Sequence, residues 1–172
     1  MQAPAQSTKS SKTGIIVIGV IVVVALILVA LVAPSLMGSN LSPKSNPGSN
    51  IQPPTTLNVV NGLITVSAGS YESYQIIVPA GASNVQITGT FTASGGSGNN
   101  IQVIIMDSTN YVNWQNGNQA SAYYDSGQET TGNIATSLPG GAGTYYLVYS
   151  NTFSTFSSKN VNTQADLVYT PS

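Results

Sequence analysis

The chain has 172 residues, and only 5% of them are charged, with four lysines against five acids. Because it contains no cysteine and no histidine, it has no disulfides and lacks the commonest zinc ligand and general base. Residues 57–172 contain one lysine and five acids. Because nucleic-acid-binding proteins need a basic surface, this composition excludes that class.

The first predicted element is a membrane anchor. Gly14–Ala33 consists of twenty consecutive residues without a charge, and a helix of that length spans about 30 Å, the thickness of a hydrocarbon core. We therefore predict a single transmembrane helix over residues 14–34 that contacts membrane lipid. Residues 1–13 are rich in Ser, Thr, Lys and Gln and are predicted to form a disordered cytoplasmic tail.

Lysines set the orientation of the predicted anchor. Lys9 and Lys12 precede the apolar segment, whereas only Lys44 follows it closely. By the positive-inside rule, the N-terminus lies in the cytoplasm and the C-terminal part lies outside the cell membrane.

Two alternatives for the apolar segment remain open. A signal peptidase would cut near Ala33, although Pro34 directly after the cut is unfavourable. A prepilin-type peptidase would instead trim the chain near Gly14, leaving a helix that packs in a filament. The order of a short basic leader, an apolar helix and a β domain resembles archaeal pilin subunits, so the alternative function is a pilin-like or cell-surface assembly subunit.

A linker is predicted over residues 35–56. Prolines alternate there with Ser, Asn and Gly, a composition that favours extended segments over a packed core. Asn40-Leu41-Ser42 is a formal N-glycosylation sequon within it. The linker would hold the following domain away from the membrane.

Residues 57–172 are predicted to form an all-β domain, an antiparallel two-sheet β-sandwich with jelly-roll connections and no helix. Asn61-Gly62 and Gly95–Gly98 are interpreted as hairpin turns. Alternating apolar and polar residues indicate strands with one buried face. The nine predicted strands are Leu57–Val60, Leu63–Ser67, Tyr71–Val78, Asn84–Thr92, Asn100–Met106, Ala122–Asp125, Gly132–Ser137, Thr144–Ser150 and Asn160–Tyr169.

The last third of the chain resembles GOLD (emp24/p24-type) domains. Asn151, Phe153, Ser154 and Lys159 fall at positions that match the Asn-x-aromatic-Ser turn and the following lysine of that family. The resemblance implies a β-sandwich and a role in protein or membrane contacts. It does not imply trafficking, because the family's membrane helix follows the domain, whereas the predicted anchor precedes it here.

The same residues have a direct physical interpretation. Asn151 is suited to hydrogen-bond nearby backbone in a turn. Phe153 and Phe156 are predicted to cap one end of the sandwich, and Lys159 is predicted to pair with a strand-end carbonyl or an acid.

Four aromatic residues form the predicted ligand site, namely Tyr111, Trp114, Tyr123 and Tyr124. Flat rings next to amide side chains are typical of sugar-binding sandwiches, because rings stack on sugar faces while amides reach the hydroxyls. The alternative is that these rings fill the edge of the sandwich.

Three acids, Asp107, Asp125 and Glu129, are candidate ligands for Ca²⁺, because carboxylates and loop carbonyls are its usual ligands. The favoured interpretation is that they are solvated loop acids, in which case no cofactor is bound. Serines are abundant, but no histidine is present to activate one. We therefore predict a non-enzymatic, membrane-tethered extracytoplasmic module for protein or glycan binding at the cell surface.

Overall fold

The computed structural model describes residues 52–172. The predicted tail, the transmembrane helix and most of the linker lie outside the described residues. Within residues 52–172 no helix is long and apolar enough to cross a membrane.

The described part contains eight strands and one helix. In chain order they are β1 (Thr55–Val66), β2 (Tyr71–Val78), β3 (Ser83–Ser94), β4 (Ile101–Asp107), α1 (Ser108–Gln115), β5 (Tyr124–Glu129), β6 (Thr131–Ser137), β7 (Gly143–Ser150) and β8 (Lys159–Thr170).

The strands form two four-stranded antiparallel sheets, which confirms the predicted all-β two-sheet sandwich. Sheet A has the order β1-β8-β3-β6, and sheet B has the order β2-β7-β4-β5. Most consecutive strands lie in opposite sheets, so the connecting loops gather at the two ends of the sandwich. The connection from β4 to β5 stays within sheet B and carries α1.

The core lies between the two sheets. Along β3, Val85, Ile87 and Phe91 are buried, and the alternating residues Gln86, Thr88 and Thr90 are exposed, as the period-2 pattern predicts. Sheet B contributes inward side chains such as Leu147 and Tyr149. Removing this apolar surface from water is the main stabilising term of a domain that has no disulfide.

The prediction of a hairpin turn at Asn61-Gly62 is wrong. β1 runs through both residues, which pair with Gln164 and Thr163 of β8. Gly62 has φ +138°, a backbone conformation that glycine adopts without steric cost. Because β8 pairs along the whole length of β1, the two predicted strands that begin at Leu57 and Leu63 belong to one continuous strand.

The predicted absence of a helix is also wrong. α1 has a weak apolar periodicity, and its stability comes from other sources. Asp107 is the N-cap residue and accepts a hydrogen bond from the Asn110 backbone N–H at 2.8 Å. Tyr111 is buried against the outer face of sheet B, so packing outweighs a sequence with poor intrinsic helix propensity.

The glycine-rich segment Gly95–Gly98 does not form a hairpin turn. It follows β3 of sheet A and precedes β4 of sheet B, so it crosses from one sheet to the other at an end of the sandwich. Gly95 and Gly96 both have positive φ, at 105° and 67°.

Candidate functional site

An aromatic cluster lies between α1 and the outer face of sheet B. Its rings are Tyr71, Tyr111, Trp114 and Tyr146. Tyr111 stacks on Tyr146 with ring centroids 4.1 Å apart, and Trp114 meets Tyr71 edge to face at 4.9 Å. Of the four residues in the predicted ligand site, Tyr111 and Trp114 belong to this cluster.

The aromatic cluster packs the helix onto the sheet. Tyr111 is buried, and its hydroxyl lies 2.9 Å from the hydroxyl of Ser73. Burial raises the pKa of Tyr111 to about 12, because the phenolate would lose its hydration. Gln115 at the end of the helix donates to the Tyr71 hydroxyl at 2.7 Å. These contacts agree with the packing interpretation of Tyr111, while Trp114 stays partly exposed.

Tyr123 and Tyr124 lie in other surroundings. Tyr123 packs edge to face on Tyr145 with centroids 5.5 Å apart. Tyr124 packs against the main core, and its hydroxyl donates to the Asn133 carbonyl at 2.9 Å. The ring contacts therefore divide the four predicted ligand residues among three environments.

The three predicted calcium ligands are separated. Asp107 caps α1, and Asp125 accepts hydrogen bonds from Gln102 at 2.9 and 3.1 Å. Glu129 is paired with Ile101 at the opposite end of β5. Among residues 52–172 no three acids are placed to hold a metal ion, so the candidate three-carboxylate site is not assembled.

Asn151, Phe153, Ser154 and Lys159, the residues that carry the predicted resemblance, lie together at one end of the sandwich. Asn151 is fully buried, and its amide nitrogen donates to the carbonyls of Ser157 at 2.9 Å, Ser67 at 3.1 Å and Val66 at 3.2 Å. Asn151 therefore joins the end of β1 to the loop between β7 and β8, as predicted for a turn asparagine. Within the described residues its Oδ1 is buried without a hydrogen-bond partner.

Short hydrogen bonds order the loop between β7 and β8. The Ser154 hydroxyl donates to the Ser157 carbonyl at 2.9 Å and accepts from the Ser157 backbone N–H at 3.3 Å. Phe153 is partly buried. Phe156 is 93% exposed, so the prediction that it caps the sandwich is wrong. Because hydrogen bonds within the β7–β8 loop hold its shape, the loop does not need the Phe156 ring for packing, and the ring faces solvent.

Lys159 is almost fully buried, with 3% of its surface exposed. Its Nζ donates to the Gly95 carbonyl at 2.8 Å and to Asn100 Oδ1 at 3.3 Å. The bond to Gly95 confirms the predicted pairing with a carbonyl at the end of a strand. Both acceptors are neutral, and an ammonium group has three N–H donors, so these contacts leave the positive charge without a counter-charge.

A cleft of about 340 Å³ lies above Lys159, between the β3–β4 loop and the β7–β8 loop. We call it the end cleft. Its lining combines hydroxyls, amides, two phenylalanines and the lysine, in the residues Ser97, Ser154, Ser157, Asn100, Gln128, Phe153, Phe156 and Lys159. Gly96 also lines the end cleft. A Cβ added to Gly96 would lie 3.0 Å from Lys159 Nζ.

Sequence reasoning found one side of the end cleft and missed the other. Phe153, Ser154 and Lys159 were singled out, whereas Asn100 and Gln128 were not. The signal for Asn100 was its place after the glycine-rich run, but that run was interpreted as a hairpin turn. Gln128 lies on a strand that reaches the cleft through tertiary pairing, and its local sequence carries no such signal.

The groups that line the end cleft are suited to hydrogen bonding. The end cleft offers hydroxyl and amide groups that both donate and accept hydrogen bonds, one ammonium group and an exposed aromatic ring. No family model matches the chain, and no curated protein matches its sequence.

Proposed function

We propose that this protein is a non-enzymatic, membrane-tethered extracytoplasmic module that binds a glycan or protein ligand in the end cleft. The observation that carries the proposal is the buried ammonium of Lys159, which lies below an open polar cleft and hydrogen-bonds only to neutral acceptors among the described residues. Burying a charge is costly unless it is paired, so such a charge beneath a cleft favours a ligand site.

The composition of the end cleft supports binding through many weak polar contacts. Ser97, Asn100 and Gln128 come from the β3–β4 loop and from β5, opposite Ser154 and Ser157 of the β7–β8 loop. Loops on a rigid sandwich commonly carry binding residues, because the sheets fix their positions while the loops vary in sequence. The volume of the end cleft, about 340 Å³, is at the low end of the range for ligand pockets, so the cleft suits a small ligand group.

The proposed location depends on the N-terminal sequence. Gly14–Ala33 matches a membrane-spanning helix in length, and the lysines before it favour a cytoplasmic N-terminus. The Pro-rich linker would then separate the end cleft from the lipid surface.

At the finer level of fold, we propose a GOLD-like jelly roll. The strand orders β1-β8-β3-β6 and β2-β7-β4-β5 support the jelly-roll part, because all consecutive strands except β4 and β5 alternate between the sheets, as in two interleaved Greek keys. The turn at Asn151 and the buried Lys159 support the GOLD-like part.

The test of the proposed function is a binding screen with the full chain in detergent. The wild-type protein and a Phe156→Ala variant are applied to a glycan array and to extracts of surface proteins. Leu63→Ala is the matched control, because Leu63 is 70% exposed on β1 and does not line the end cleft. A ligand that is lost in Phe156→Ala but kept in Leu63→Ala supports the proposal, and ligands that bind all three proteins equally contradict it.

A second candidate function is a pilin-like assembly subunit, favoured by one observation on β1. This twelve-residue strand is an edge of sheet A, has no charged residue and exposes Leu57 and Leu63. Edge strands without charges offer their backbone groups to another chain. Mass spectrometry of the native protein tests this function: a mature N-terminus near Ile15 supports it, and an intact Met1 contradicts it.

A further inference from the structure

We infer that the ligand of the end cleft is a saccharide with a carboxylate group, and that the carboxylate binds Nζ of Lys159. This inference rests on the proposed function of the same cleft and names the chemical class of its ligand.

The first argument is charge. Lys159 is the only basic residue after residue 44, so the β domain has a single cation to offer an anion. Its two hydrogen bonds leave one N–H donor of the ammonium group for a ligand. A single positive charge matches a singly charged carboxylate better than a dianionic phosphate. A charge-assisted hydrogen bond is roughly twice as strong as a neutral one.

The second argument is the position of the protein's own acids. None of the acids of the β domain lines the end cleft. Asp107 and Asp125 are engaged with α1 and with Gln102. A carboxylate that enters the cleft therefore meets the ammonium group and neutral polar groups.

The third argument concerns the rest of the ligand. The other polar groups of the cleft are hydroxyls and amides, including Ser97, Asn100, Gln128 and Ser157. Such groups both donate and accept, which matches the many hydroxyls of a sugar better than an apolar peptide side chain. Phe156 is 93% exposed at the rim, where its face is available to stack on a sugar ring.

The experiment compares two saccharides that differ only in the carboxylate. The full chain in detergent is titrated with tri-galacturonic acid and with its carboxyl-reduced counterpart, and binding is measured by calorimetry. We expect the acid form to bind at least about tenfold more tightly, the effect of one charge-assisted hydrogen bond. Lys159→Gln should abolish this difference, and Phe156→Ala should weaken both saccharides equally.

The outcomes separate this inference from the proposed function. Equal binding of the two saccharides overturns the carboxylate contact but leaves a glycan-binding cleft. Equal binding of an oligo-glutamate peptide overturns the saccharide assignment and favours an acidic protein partner. Absence of binding by all three probes overturns the inference, whereas the proposed function fails only when no ligand in the wider screen depends on Phe156. Because the ligand comparison uses wild-type protein, it stays decisive even where Lys159→Gln does not fold.

Discussion

The hydroxyl of Tyr149 in sheet B lies 2.7 Å from the hydroxyl of Thr163 in sheet A, in the buried core. Thr163 donates its own hydrogen to the Thr90 carbonyl at 2.9 Å, so Tyr149 is the donor to Thr163. This chain of two hydrogen bonds connects the sheets at a point where the neighbouring contacts are apolar. It satisfies the one polar atom that the buried Tyr149 ring brings into the core.

Removing the Tyr149 hydroxyl and removing the Thr163 hydroxyl should lower the free energy of unfolding by different amounts. Tyr149→Phe leaves the Thr163 donor paired and should lower the free energy of unfolding by about 1 kcal/mol. Thr163→Val leaves the Tyr149 hydroxyl buried without a partner and should cost about 2–3 kcal/mol. The double variant should cost less than the sum of the two. Urea denaturation of the full chain followed by circular dichroism measures all three, and strictly additive values would contradict the proposed chain of hydrogen bonds.

Replacing the side-chain amide of Asn151 by an apolar or by a charged group should destabilise the domain. Asn151→Ala removes the donor from three carbonyls and should cost about 2–3 kcal/mol. Asn151→Asp puts a carboxylate against the same carbonyls in a buried site and should cost about 3–5 kcal/mol. Asn118→Asp, at an exposed position, is the control and should change stability little. A melting temperature of Asn151→Ala equal to that of the wild type would show that donation by the amide is unimportant.

Two glycine substitutions separate backbone strain from closure of the end cleft. Gly96 and Gly117 have nearly the same φ, at +67° and +70°. An alanine at either position should cost about 1 kcal/mol through its left-handed backbone. Only at Gly96 would the new Cβ meet neighbours, with Ser157 Cβ at 2.9 Å and Lys159 Nζ at 3.0 Å.

Gly96→Ala should therefore lose about 1–3 kcal/mol more than Gly117→Ala and should also weaken ligand binding. Thermal denaturation and the saccharide titration measure the two effects. If both variants bound ligand like the wild type, the wall formed by Gly96 would have no part in recognition.

Trp114 should matter mainly for packing of α1 on sheet B. Trp114→Ala removes edge-to-face contact with Tyr71 and should lower the free energy of unfolding by about 1–3 kcal/mol. Val112→Ala is the control, because Val112 lies on the same helix and is 52% exposed. A Trp114→Ala protein of unchanged stability that failed to bind ligand would instead establish the sugar-stacking role that its sequence neighbourhood predicts.

Buried phenols should make the domain sensitive to alkali. Burial raises the pKa of Tyr111 to about 12, and it raises the pKa of Tyr149 further. Above pH 10 the unfolded chain releases phenolic protons that the folded state retains, so the folded state binds more protons and stability falls as pH rises. The contribution is fully present below pH 10 and is lost as pH rises through the folded-state values.

Thermal melting in steps from pH 9 upward measures this loss, with absorbance of the phenolate as a second signal. Tyr149→Phe should flatten the decline above pH 10, since the variant has one buried phenol fewer. A melting temperature that stayed constant up to pH 12 would contradict the burial of these hydroxyls.

Much of the strand pattern was accessible from the sequence. Tyr71–Val78 was predicted with its observed bounds, and the inward faces of β3 and β8 follow the alternation of residues such as Val85 and Leu167. α1 was missed because its stability comes from the Asp107 cap and from the sheet beneath it. The turn at Asn61-Gly62 was misplaced because a local turn signal was overridden by pairing with β8.

For the candidate site, the sequence identified individual residues but not their grouping. Asn151 and Lys159 were identified by the resemblance of their segment to the turn and the following lysine of GOLD domains, and an asparagine in a turn is suited to hydrogen-bond nearby backbone. The contacts of Lys159 with Gly95 and Asn100 require two loops, more than fifty residues apart in the chain, to lie at the same end of the sandwich.

The sequence by itself determined the all-β class, the buried face of the strands and the negative balance of the domain, since these depend on local periodicity and on composition. Only the tertiary structure decided that Lys159 lies beneath a polar cleft, that the aromatic residues divide among packing sites and that the three acids stay apart. The physical reason is that burial and proximity depend on strand order and on loop crossings. These bring together groups that are far apart in the chain, and the local sequence around each group does not predict the contact.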